Sequence, residues 1–352
     1  MATNEGRVSS IVLDASRTPA RLVGSFLTVL DRAERVMDHS DAATSASAAK
    51  MRRGVALICV VYAVILAVRT MASGDLPSPA VALMLGLAGA LYTNRGGRFV
   101  RDWVPVALGL FAYILAGSFS AALNLKTSVH YVPQIDLDRI IGLGTVPTVW
   151  LQAHIYNGHT GPLEVASLAF YASHFVVLLL LAYYMWWRNE RTAFAVLFFS
   201  VLVASMAAMA TFVLLPTAPP WLAAREGYLH GVHHINKQTI DTLGLSSWAA
   251  WYGNGKTYNI VAAVPSLHMA FPIIGLLVCR RFALGRIPTA IISLEALGVL
   301  FSIVYTGEHY VTDAVAGAAY AIAAFLVVSR MLAAQPGLQP APVAAAPVSS
   351  RR

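Results

Sequence analysis

The chain has 352 residues, of which 57% are hydrophobic and 12% charged, and its mean hydropathy is +0.64. This composition excludes an ordinary soluble domain and is typical of a protein that crosses a membrane several times. The formal net charge of +8 at pH 7 does not indicate a nucleic-acid partner, because the basic residues follow a pattern of membrane topology. We therefore predict an all-α, polytopic membrane helix bundle.

Eight apolar runs approach the length of about 20 residues that a bilayer crossing requires. They lie at about 55–73, 78–93, 103–122, 164–187, 193–215, 263–279, 288–306 and 310–332, and the second and sixth are short. Residues 51–334 thus form the predicted membrane domain, between an N-terminal tail (1–50) and a Pro/Ala-rich tail (335–352) predicted to be disordered. In the first tail, the segment from Arg21 to Asp38 fits either an amphipathic helix on the membrane surface or a solvated helix.

Lysine and arginine are unequally distributed between the two sides that alternating spans define. Of the 25 in the chain, one lies inside the first span, and only five fall in the loops after the third and fifth spans: Lys126, Arg139, Arg225, Lys237 and Lys256. The positive-inside rule makes the richer side cytoplasmic. We therefore predict a plasma-membrane protein with both termini in the cytoplasm and a polar site at the outer face.

The stretch Val264 to Pro272, VPSLHMAFP, begins the sixth span on the outer side. Pro265 is tolerated in the opening turn of a helix, and Ser266 is a favoured cap. The free backbone N–H groups of such a turn attract an anion, and His268 stands beside them as a proton donor. A capped helix start with an interfacial histidine explains the same residues equally well.

A second polar cluster, YTGEHYVTDAVAG, separates the last two spans between Tyr305 and Gly317. His309 and Asp313 are four residues apart, which places them on one face of the first turns of the last helix. A carboxylate there accepts from one imidazole nitrogen and leaves the other as a nucleophile or base. The same spacing also occurs in interfacial hydrogen bonds and metal sites. Alternating spans bring both residues and His268 to one membrane depth, together with LLPTAPPW at the end of the fifth span.

These residues resemble the type 2 phosphatidic acid phosphatase superfamily. VPSLHMAFP and SIVYTGEHYVTDAVAG are similar to its second and third signature motifs, Pro-Ser-Gly-His and Ser-Arg-x5-His-x3-Asp. PTAPPW, RDWVP (Arg101–Pro105) and LDRIIG (Leu137–Gly142) are similar to the inositol phosphotransferase branch, which contains fungal inositol phosphorylceramide synthase and bacterial relatives. The resemblance spans roughly residues 100 to 325 and implies a six-helix lipid-phosphatase-like core.

The resemblance implies a role for each matching residue. His309 attacks phosphorus and becomes a phosphohistidine, Asp313 orients it, and His268 protonates the leaving alkoxide. Ser266 helps to bind the phosphate oxygens. In-line phosphoryl transfer requires such a set: a nucleophile, a general acid opposite it, and hydrogen-bond donors around the equatorial oxygens.

Three departures from the family pattern change the expected phosphate site. Ile303 stands where the third-motif arginine is expected, Leu267 replaces the second-motif glycine, and the Lys-x6-Arg-Pro pattern of the first motif is absent. The positive charge around the phosphate is therefore depleted, which argues against simple phosphatase activity. Arg225, Lys256 and Lys237, in that order, are the candidate replacements for the missing cation.

Other polar residues have weaker assignments. Asp138 and Arg139 are candidates for recognising a polyol headgroup, with Gln152 beside them, although a local capping arrangement explains them as well. The sequence HGVHH (His230–His234) is interpreted as a solvated loop, because no Cys or paired carboxylate stands at a spacing that supports a metal. His174, in the fourth span, is a suggested partner for an acid inside the seventh span.

The predicted function is that of a lipid headgroup phosphotransferase or a lipid phosphatase that uses no cofactor or metal. Two alternatives stay open from the residues alone. One is an intramembrane serine hydrolase with Ser266 or Ser302 as the nucleophile and His309 as the base. The other is a proton-coupled transporter whose relay includes His268, His309 and Glu295, the acid inside the seventh span.

The substrates follow less directly from the sequence. We expect a phospholipid or polyprenyl phosphate as the donor, taken from the membrane, and a polyol or water as the acceptor. Arginine far outnumbers lysine and alanine is abundant, which is typical of a high-GC bacterium. On this ground a ceramide substrate is less expected than a phosphoinositide or a polyprenyl phosphate.

Overall fold

A computed structural model describes residues 46–72, 79–124, 128–245, 249 and 259–333. Within these ranges the chain forms twelve α-helices and no β-strand, which confirms the predicted all-α class. The helices are α1 (Ala46–Ala72), α2 (Pro79–Tyr92), α3 (Gly96–Asn124), α4 (Val132–Ile141), α5 (Pro147–Ile155), α6 (Pro162–Trp187), α7 (Arg191–Leu214), α8 (Pro220–Arg225), α9 (Ile235–Thr242), α10 (Leu267–Arg281), α11 (Arg286–Tyr305) and α12 (Val311–Ala333).

Eight of these helices coincide with the eight predicted spans: α1, α2, α3, α6, α7, α10, α11 and α12. Six of the eight are long and apolar enough to cross a membrane by length and composition. The exceptions are α2, with the shorter apolar segment Leu83–Tyr92, and α10, with 15 residues; both are runs that were short in the sequence. The predicted helix from Arg21 to Asp38 and the tail 335–352 lie outside the described residues, so both stay predictions.

The four remaining helices lie in the two loops predicted to be outside. We call the described residues between α3 and α6 and between α7 and α10 the loop layer. Proline occupies the opening turns of α5 and α8, at Pro147 and Pro220, where its missing N–H costs no hydrogen bond. Thr217 forms backbone bridges to both His130 and Ala262, so the two loops make one layer at one end of the bundle.

Helix α10 is the centre of the bundle. It packs against α6, α7, α11 and α12, and the side chains of Phe271, Ile274 and Val278 are almost completely buried. Gly275 allows close packing, because a Cβ there would lie 3.3 Å from Ile292 and 3.4 Å from Leu178. Since other helices surround α10, its short length does not leave it unsupported in the lipid.

The first helices lie at the edge of the bundle. Only 17% of the apolar segment of α1 is buried. Helix α3 is fastened to α6 at the end away from the loop layer, where Asp102 accepts from Arg101 Nε at 2.6 Å and from Trp186 Nε1 at 2.9 Å. A second polar contact joins α3 to the loop layer, where the amide of Asn259 donates to the Ser120 hydroxyl at 2.9 Å.

The backbones of α10 and α12 approach most closely where Gly317 meets Ser266. A Cβ on Gly317 would lie 2.1 Å from the carbonyl oxygen of Ser266, and no rotamer relieves a clash with the backbone. At the same level, the Ser266 N–H donates to the carbonyl oxygen of Asp313 at 3.0 Å. The start of α10 is thus held at a short, fixed distance from the first turns of α12.

We expect Gly317→Ala to force α10 and α12 apart and to lower the free energy of unfolding by about 1–3 kcal/mol. Thermal unfolding of the detergent-solubilised protein measures this loss. Gly117→Ala on α3 is the matched control, because nothing lies within 4 Å of a Cβ at that position and alanine favours a helix. Equal melting temperatures for the two variants would contradict the close contact.

Candidate active site

The structure brings together the three residues at the predicted catalytic positions. His268 lies in the first turn of α10 and Asp313 in the first turn of α12. His309 lies between α11 and α12, in residues 306–310, which we call the catalytic segment. Nδ1 of His268 and Nε2 of His309 are 3.1 Å apart. His309 and Asp313 are buried and His268 is partly buried, so the site sits just inside one end of the bundle.

The hydrogen bonds of His309 show where its proton lies. Nδ1 is 3.0 Å from the carbonyl oxygen of Ala263, and a carbonyl can only accept. Nδ1 therefore carries the proton, and Nε2 of the neutral ring carries a lone pair. Because that lone pair faces His268, Nδ1 of His268 donates the 3.1 Å bond. His309 thus has the tautomer of a nucleophile, with its lone pair occupied by the neighbouring imidazole.

Asp313 supports His309 less directly than the sequence suggested. His309 precedes α12 instead of lying in its first turn, and its Nδ1 is 3.5 Å from Oδ2 of Asp313. That oxygen accepts from the N–H of Tyr310 at 2.9 Å, as an acid in the first turn commonly does for the residue before a helix. The Ala263 carbonyl, which sequence analysis did not single out, is closer to the His309 proton. The orientation of His309 is therefore shared between a backbone carbonyl and a carboxylate.

Ser266 occupies the N-cap of α10, as predicted, but its hydroxyl forms no capping bond. Pro265 precedes this cap instead of lying in the opening turn. The Ser266 hydroxyl is fully buried, and none of the described residues hydrogen-bonds to it. A buried hydroxyl without a partner costs free energy, so this oxygen marks a place where a ligand atom would be favourable.

Asp138 has a role other than headgroup recognition. Its carboxylate accepts from the N–H groups of Val311 at 3.0 Å and Thr312 at 2.9 Å, so it caps α12 from a distant part of the chain. Burial raises the pKa of Asp138, and these backbone N–H groups lower it by less. Both carboxylate oxygens thus accept hydrogen bonds from the protein, and recognition of a headgroup by Asp138 stays a prediction. Arg139 is exposed and pairs locally with Asp136 at 3.2 Å.

Two aromatic side chains of α6 contact His268 and were not predicted to belong to the site. The ring of Tyr171 stacks on it with 4.3 Å between centroids, and the ring of His174 lies 4.4 Å from it. The sequence suggested Glu295 as the partner of His174, but Glu295 accepts from Ser173 at 2.8 Å. The spacing of three residues between Tyr171 and His174 was the available signal, because it places both on one face of α6.

Gln152 fastens the loop layer to the end of α11. Its amide nitrogen donates to the carbonyls of His233 at 3.1 Å and Tyr305 at 2.8 Å, and its oxygen accepts from the His233 N–H at 2.6 Å. The Gln152 amide is thus bonded to backbone groups, and its contact with a headgroup stays a prediction. The backbone N–H of Trp221 also donates to the Gly307 carbonyl at 3.0 Å, so α8 contacts the catalytic segment as well.

A cavity of about 680 Å³ opens within the loop layer beside the catalytic segment. His234 in its wall stacks on Trp221 at 4.2 Å, and Nε2 of His234 lies 3.1 Å from a carboxylate oxygen of Glu308. His234 is therefore not the solvated residue that the HGVHH sequence suggested. The polar and aromatic residues lining the cavity are Trp221, Arg225, His230, His233, His234 and Lys237.

Two of the three candidate replacements for the motif arginine line this cavity. Arg225 and Lys237 are each paired with a nearby carboxylate, at 3.0 Å and 2.6 Å respectively. The third candidate, Lys256, lies outside the described residues. Ile303, at the position of the motif arginine, is completely buried in an apolar cluster. The two candidate cations that the structure describes, Arg225 and Lys237, thus lie in the loop layer and not at the position of Ile303 on α11.

Comparisons with known proteins find a family model and a relative that match this chain. A family model described as PAP2 superfamily matches residues 135–327, a range that contains His268, His309 and Asp313. The phosphoinositol dihydroceramide synthase of Bacteroides thetaiotaomicron is 24% identical over 197 residues, which cover 53% of this chain. The match spans 60% of the length of that relative. No solved structure matches the chain.

We expect Asp138→Ala to lower the free energy of unfolding by about 0.5–2 kcal/mol, because it removes the acceptor for two N–H groups at the start of α12. Asp136→Ala is the matched control. Its side chain is exposed two residues away, so we expect a change within about 0.5 kcal/mol. Thermal unfolding in detergent compares the two variants. A loss in Asp138→Ala no larger than in Asp136→Ala would contradict the capping role.

Proposed function

The chain belongs to the PAP2 superfamily, and from this premise we propose that it is an integral membrane phosphotransferase or phosphohydrolase. Its proposed substrate is a lipid phosphate ester, and its proposed intermediate is a phosphohistidine on His309. The observation that carries the proposal is the pairing of a correctly protonated nucleophile with a second imidazole at 3.1 Å. Phosphoryl transfer through a covalent intermediate needs such a nucleophile and a nearby general acid.

In the first step, Nε2 of His309 attacks phosphorus and the bond from phosphorus to the leaving oxygen breaks. For this step His268 has to be protonated on both ring nitrogens; it gives one proton to that oxygen and becomes neutral, and a neutral alcohol departs. The positive charge that forms on His309 is stabilised through its Nδ1 proton, which faces the Ala263 carbonyl and the Asp313 carboxylate. The step yields a phosphohistidine and an alcohol.

In the second step, the hydroxyl of an acceptor attacks the phosphorus of the phosphohistidine. The acceptor proton passes to His268, which is now neutral, and the bond between phosphorus and Nε2 breaks. His309 returns to its neutral form and His268 regains its charge. An alcohol acceptor makes the enzyme a headgroup phosphotransferase, whereas water makes it a phosphatase.

The phosphoryl group has to enter between the two imidazoles. A nucleophile stands about 3–3.5 Å from the atom that it attacks, and the acid lies beyond the leaving oxygen. The resting distance of 3.1 Å between the two nitrogens leaves no room for this arrangement. His309 is held through hydrogen bonding and His268 through ring contacts, so we expect His268 to move when substrate binds.

Neutral donors at the start of α10 are the proposed ligands of the phosphate oxygens. The Ser266 hydroxyl has no partner among the described residues, and the first turn of a helix presents N–H groups without intrahelical acceptors. Such donors stabilise the charge that develops in the transition state. Arg225 is the proposed cation, because it lines the cavity beside the catalytic segment. Lys256 stays a second candidate from the sequence.

The cavity is the proposed site for the polar headgroup. Its volume of about 680 Å³ falls within the range of small-molecule sites, roughly 300–1,000 Å³. Imidazole, guanidinium and ammonium groups line it, and these groups hydrogen-bond to hydroxyl groups and to anions. A polyol headgroup or a phosphorylated polyol has this chemistry.

The name of the relative bears on the choice of lipid. It contains both phosphoinositol and dihydroceramide, which supports the predicted inositol phosphotransferase branch. The relative is bacterial, so a bacterial origin is no argument against a ceramide-type substrate, contrary to the expectation from composition. We propose a phosphoinositide donor and a lipid alcohol acceptor first, and a polyprenyl phosphate donor second.

The proposed location of the reaction is the outer face of the plasma membrane. The catalytic segment and the loop layer lie at one end of the bundle, and the turns that contain Arg95 and Arg188 lie at the other. The positive-inside rule places the arginine-rich end in the cytoplasm. Donor lipid would then reach the site from the outer leaflet.

The two alternative functions lack the contacts that they require. The Ser302 hydroxyl donates to the carbonyl of Ser167 at 2.6 Å, and the Ser266 hydroxyl bonds to none of the described residues. Neither serine is thus hydrogen-bonded to His309 as a triad nucleophile would be. Glu295 accepts from Ser173, which does not extend a proton relay from the histidine pair.

The proposal is tested by assaying phosphate release and headgroup transfer in detergent. The donors are labelled phosphatidylinositol, phosphatidic acid and undecaprenyl diphosphate, with and without a ceramide acceptor. We expect His309→Ala to abolish turnover, and His268→Ala to lower it by about 10²–10⁴-fold because the general acid is lost. The matched control His154→Ala, an exposed histidine of α5, should match wild type.

A trapping experiment examines the intermediate in the same preparations. Wild-type protein quenched during turnover of a radiolabelled donor should carry phosphate that is stable to alkali and labile to acid, and His309→Ala should carry none. Label on another residue, or normal turnover by His309→Ala, would overturn the mechanism. Release of phosphate without any transfer to an alcohol would make the enzyme a phosphatase.

Arg225→Gln tests the proposed cation. We expect KM for an anionic donor to rise about tenfold or more, because a charged contact to the substrate is lost. Lys237→Gln is the matched control in the same cavity wall. We expect a smaller rise in KM for this variant, because Arg225 and not Lys237 is the proposed cation at the phosphate. Steady-state kinetics over a range of donor concentrations separates KM from kcat. An unchanged KM in Arg225→Gln would remove this residue from the site.

A further inference from the structure

We propose that His174 is a positioning residue for the general acid: it packs on His268 and sets the plane in which that imidazole turns between His309 and the leaving oxygen. This inference rests on the proposed function, because it assumes that His268 donates a proton. Its basis is the direct ring contact between the two histidines. No assignment from the sequence placed His174 in the reaction.

The ring of His268 is held from two directions by α6. Tyr171 stacks on it at 4.3 Å with an angle of 24° between the ring planes, and His174 meets it at 4.4 Å with an angle of 56°. His309 lies on the remaining side, at 5.2 Å between centroids. A stacked neighbour resists tilting of a ring but allows it to turn within its own plane. The contacts therefore constrain the motion that opening of the His268–His309 pair requires.

His174 is itself rigidly held. Its Nδ1 is 2.7 Å from the carbonyl oxygen of Tyr171, so Nδ1 carries a proton and donates it to that carbonyl. Phe175 and Phe271 pack against its ring, with centroid distances of 4.2 Å and 6.0 Å. One turn of α6 thus supplies both the aromatic surface under His268 and the anchor for His174. A movable side chain in the place of His174 would not define the position of the acid.

The chemistry of this position favours a role beyond packing. His174 is buried in a membrane helix, where a polar ring is costly and an apolar side chain would fill the space. Its hydrogen bond to the Tyr171 carbonyl stays within one turn of the same helix, so it joins no other part of the fold. The imidazole is therefore not needed as a cross-link between helices. Besides aromatic neighbours that would pack equally well on an apolar side chain, its ring contacts that of the proposed acid at 4.4 Å.

The dependence on the leaving group provides a sharp test. Protonation of the leaving oxygen matters greatly for an alkyl alcohol and little for 4-nitrophenolate, which departs as an anion. We therefore compare two donor pairs that transfer the same group: phosphatidylinositol with inositol 4-nitrophenyl phosphate, and phosphatidic acid with 4-nitrophenyl phosphate. A variant that misplaces the acid loses activity on the lipid but not on the nitrophenyl ester.

Two variants at position 174 are measured. His174→Leu removes the imidazole, and His174→Asn retains an N–H that can donate to the Tyr171 carbonyl, so the second variant guards against a failure to fold. We expect each to lower kcat on the lipid about tenfold or more and to change kcat on the nitrophenyl ester by less than about threefold. Equal losses on both members of a pair, or no loss on either, would overturn the proposal.

Ser173→Ala is the matched control, because it removes a buried hydrogen bond from the adjacent residue without touching His268. It should affect both substrates alike. In a His268→Ala background, His174→Asn should cost less than about twofold further, since a positioning residue has no effect without the group that it positions. A further tenfold loss in that background would contradict the inference.

The same measurements distinguish a failure of the proposed function from a failure of the inference about His174. If wild type turns over no donor, or if His309→Ala retains activity, the proposed function fails. If wild type is active and His309 and His268 are required, but the variants of His174 behave like Ser173→Ala, then only the inference about His174 fails.

Discussion

The site depends on one close contact between two helix backbones. Gly317 lets α12 touch the carbonyl of Ser266, and the N–H of Ser266 bonds to the carbonyl of Asp313. These contacts fix the start of α10, which carries His268, against the first turn of α12, which closely follows His309. Both contacts use backbone atoms, which cannot change rotamer. The backbone positions of His268 and His309 are thus set by the fold, and rotation of the side chains changes the distance between the two rings.

Polar side chains around this contact mostly bind backbone, and few face the substrate. Asp138 accepts from backbone N–H groups at the start of α12, and Gln152 joins the loop layer to the end of α11. One oxygen of Asp313 accepts from the Tyr310 N–H and also faces Nδ1 of His309. Each satisfies N–H or C=O groups that would otherwise be left without partners at helix ends. Rigid support of this kind keeps reacting groups close to a productive geometry. In the proposed mechanism the chemistry itself is carried out by His268 and His309.

The sequence was sufficient for the parts of the structure that repeat or that follow motifs. Apolar runs located eight helices, six of them of span length, and the motifs selected His268, His309 and Asp313, which the structure brings together. It was insufficient for Asp138, because a side chain that caps a helix 173 residues away leaves no periodic or local signal. The contact between His309 and the Ala263 carbonyl could not be predicted for a related reason: every residue has a carbonyl, so the sequence does not mark this one. The sequence suggested His174 as the partner of Glu295, whereas the structure shows the adjacent residue, Ser173. Depth in the membrane suggested the pair, but depth does not determine which face of a helix a residue occupies.

In the resting protein, the imidazole of His268 occupies the Nε2 lone pair of His309 through a hydrogen bond. In the proposed mechanism a substrate displaces that bond before it meets His309, so part of its binding free energy is consumed in opening the pair. A small oxyanion that makes few other contacts gains little to offset that cost. A lipid whose headgroup occupied the cavity would gain contacts with the residues that line it. In the proposed mechanism the closed pair thus discriminates against free phosphate and sulfate before any chemistry takes place.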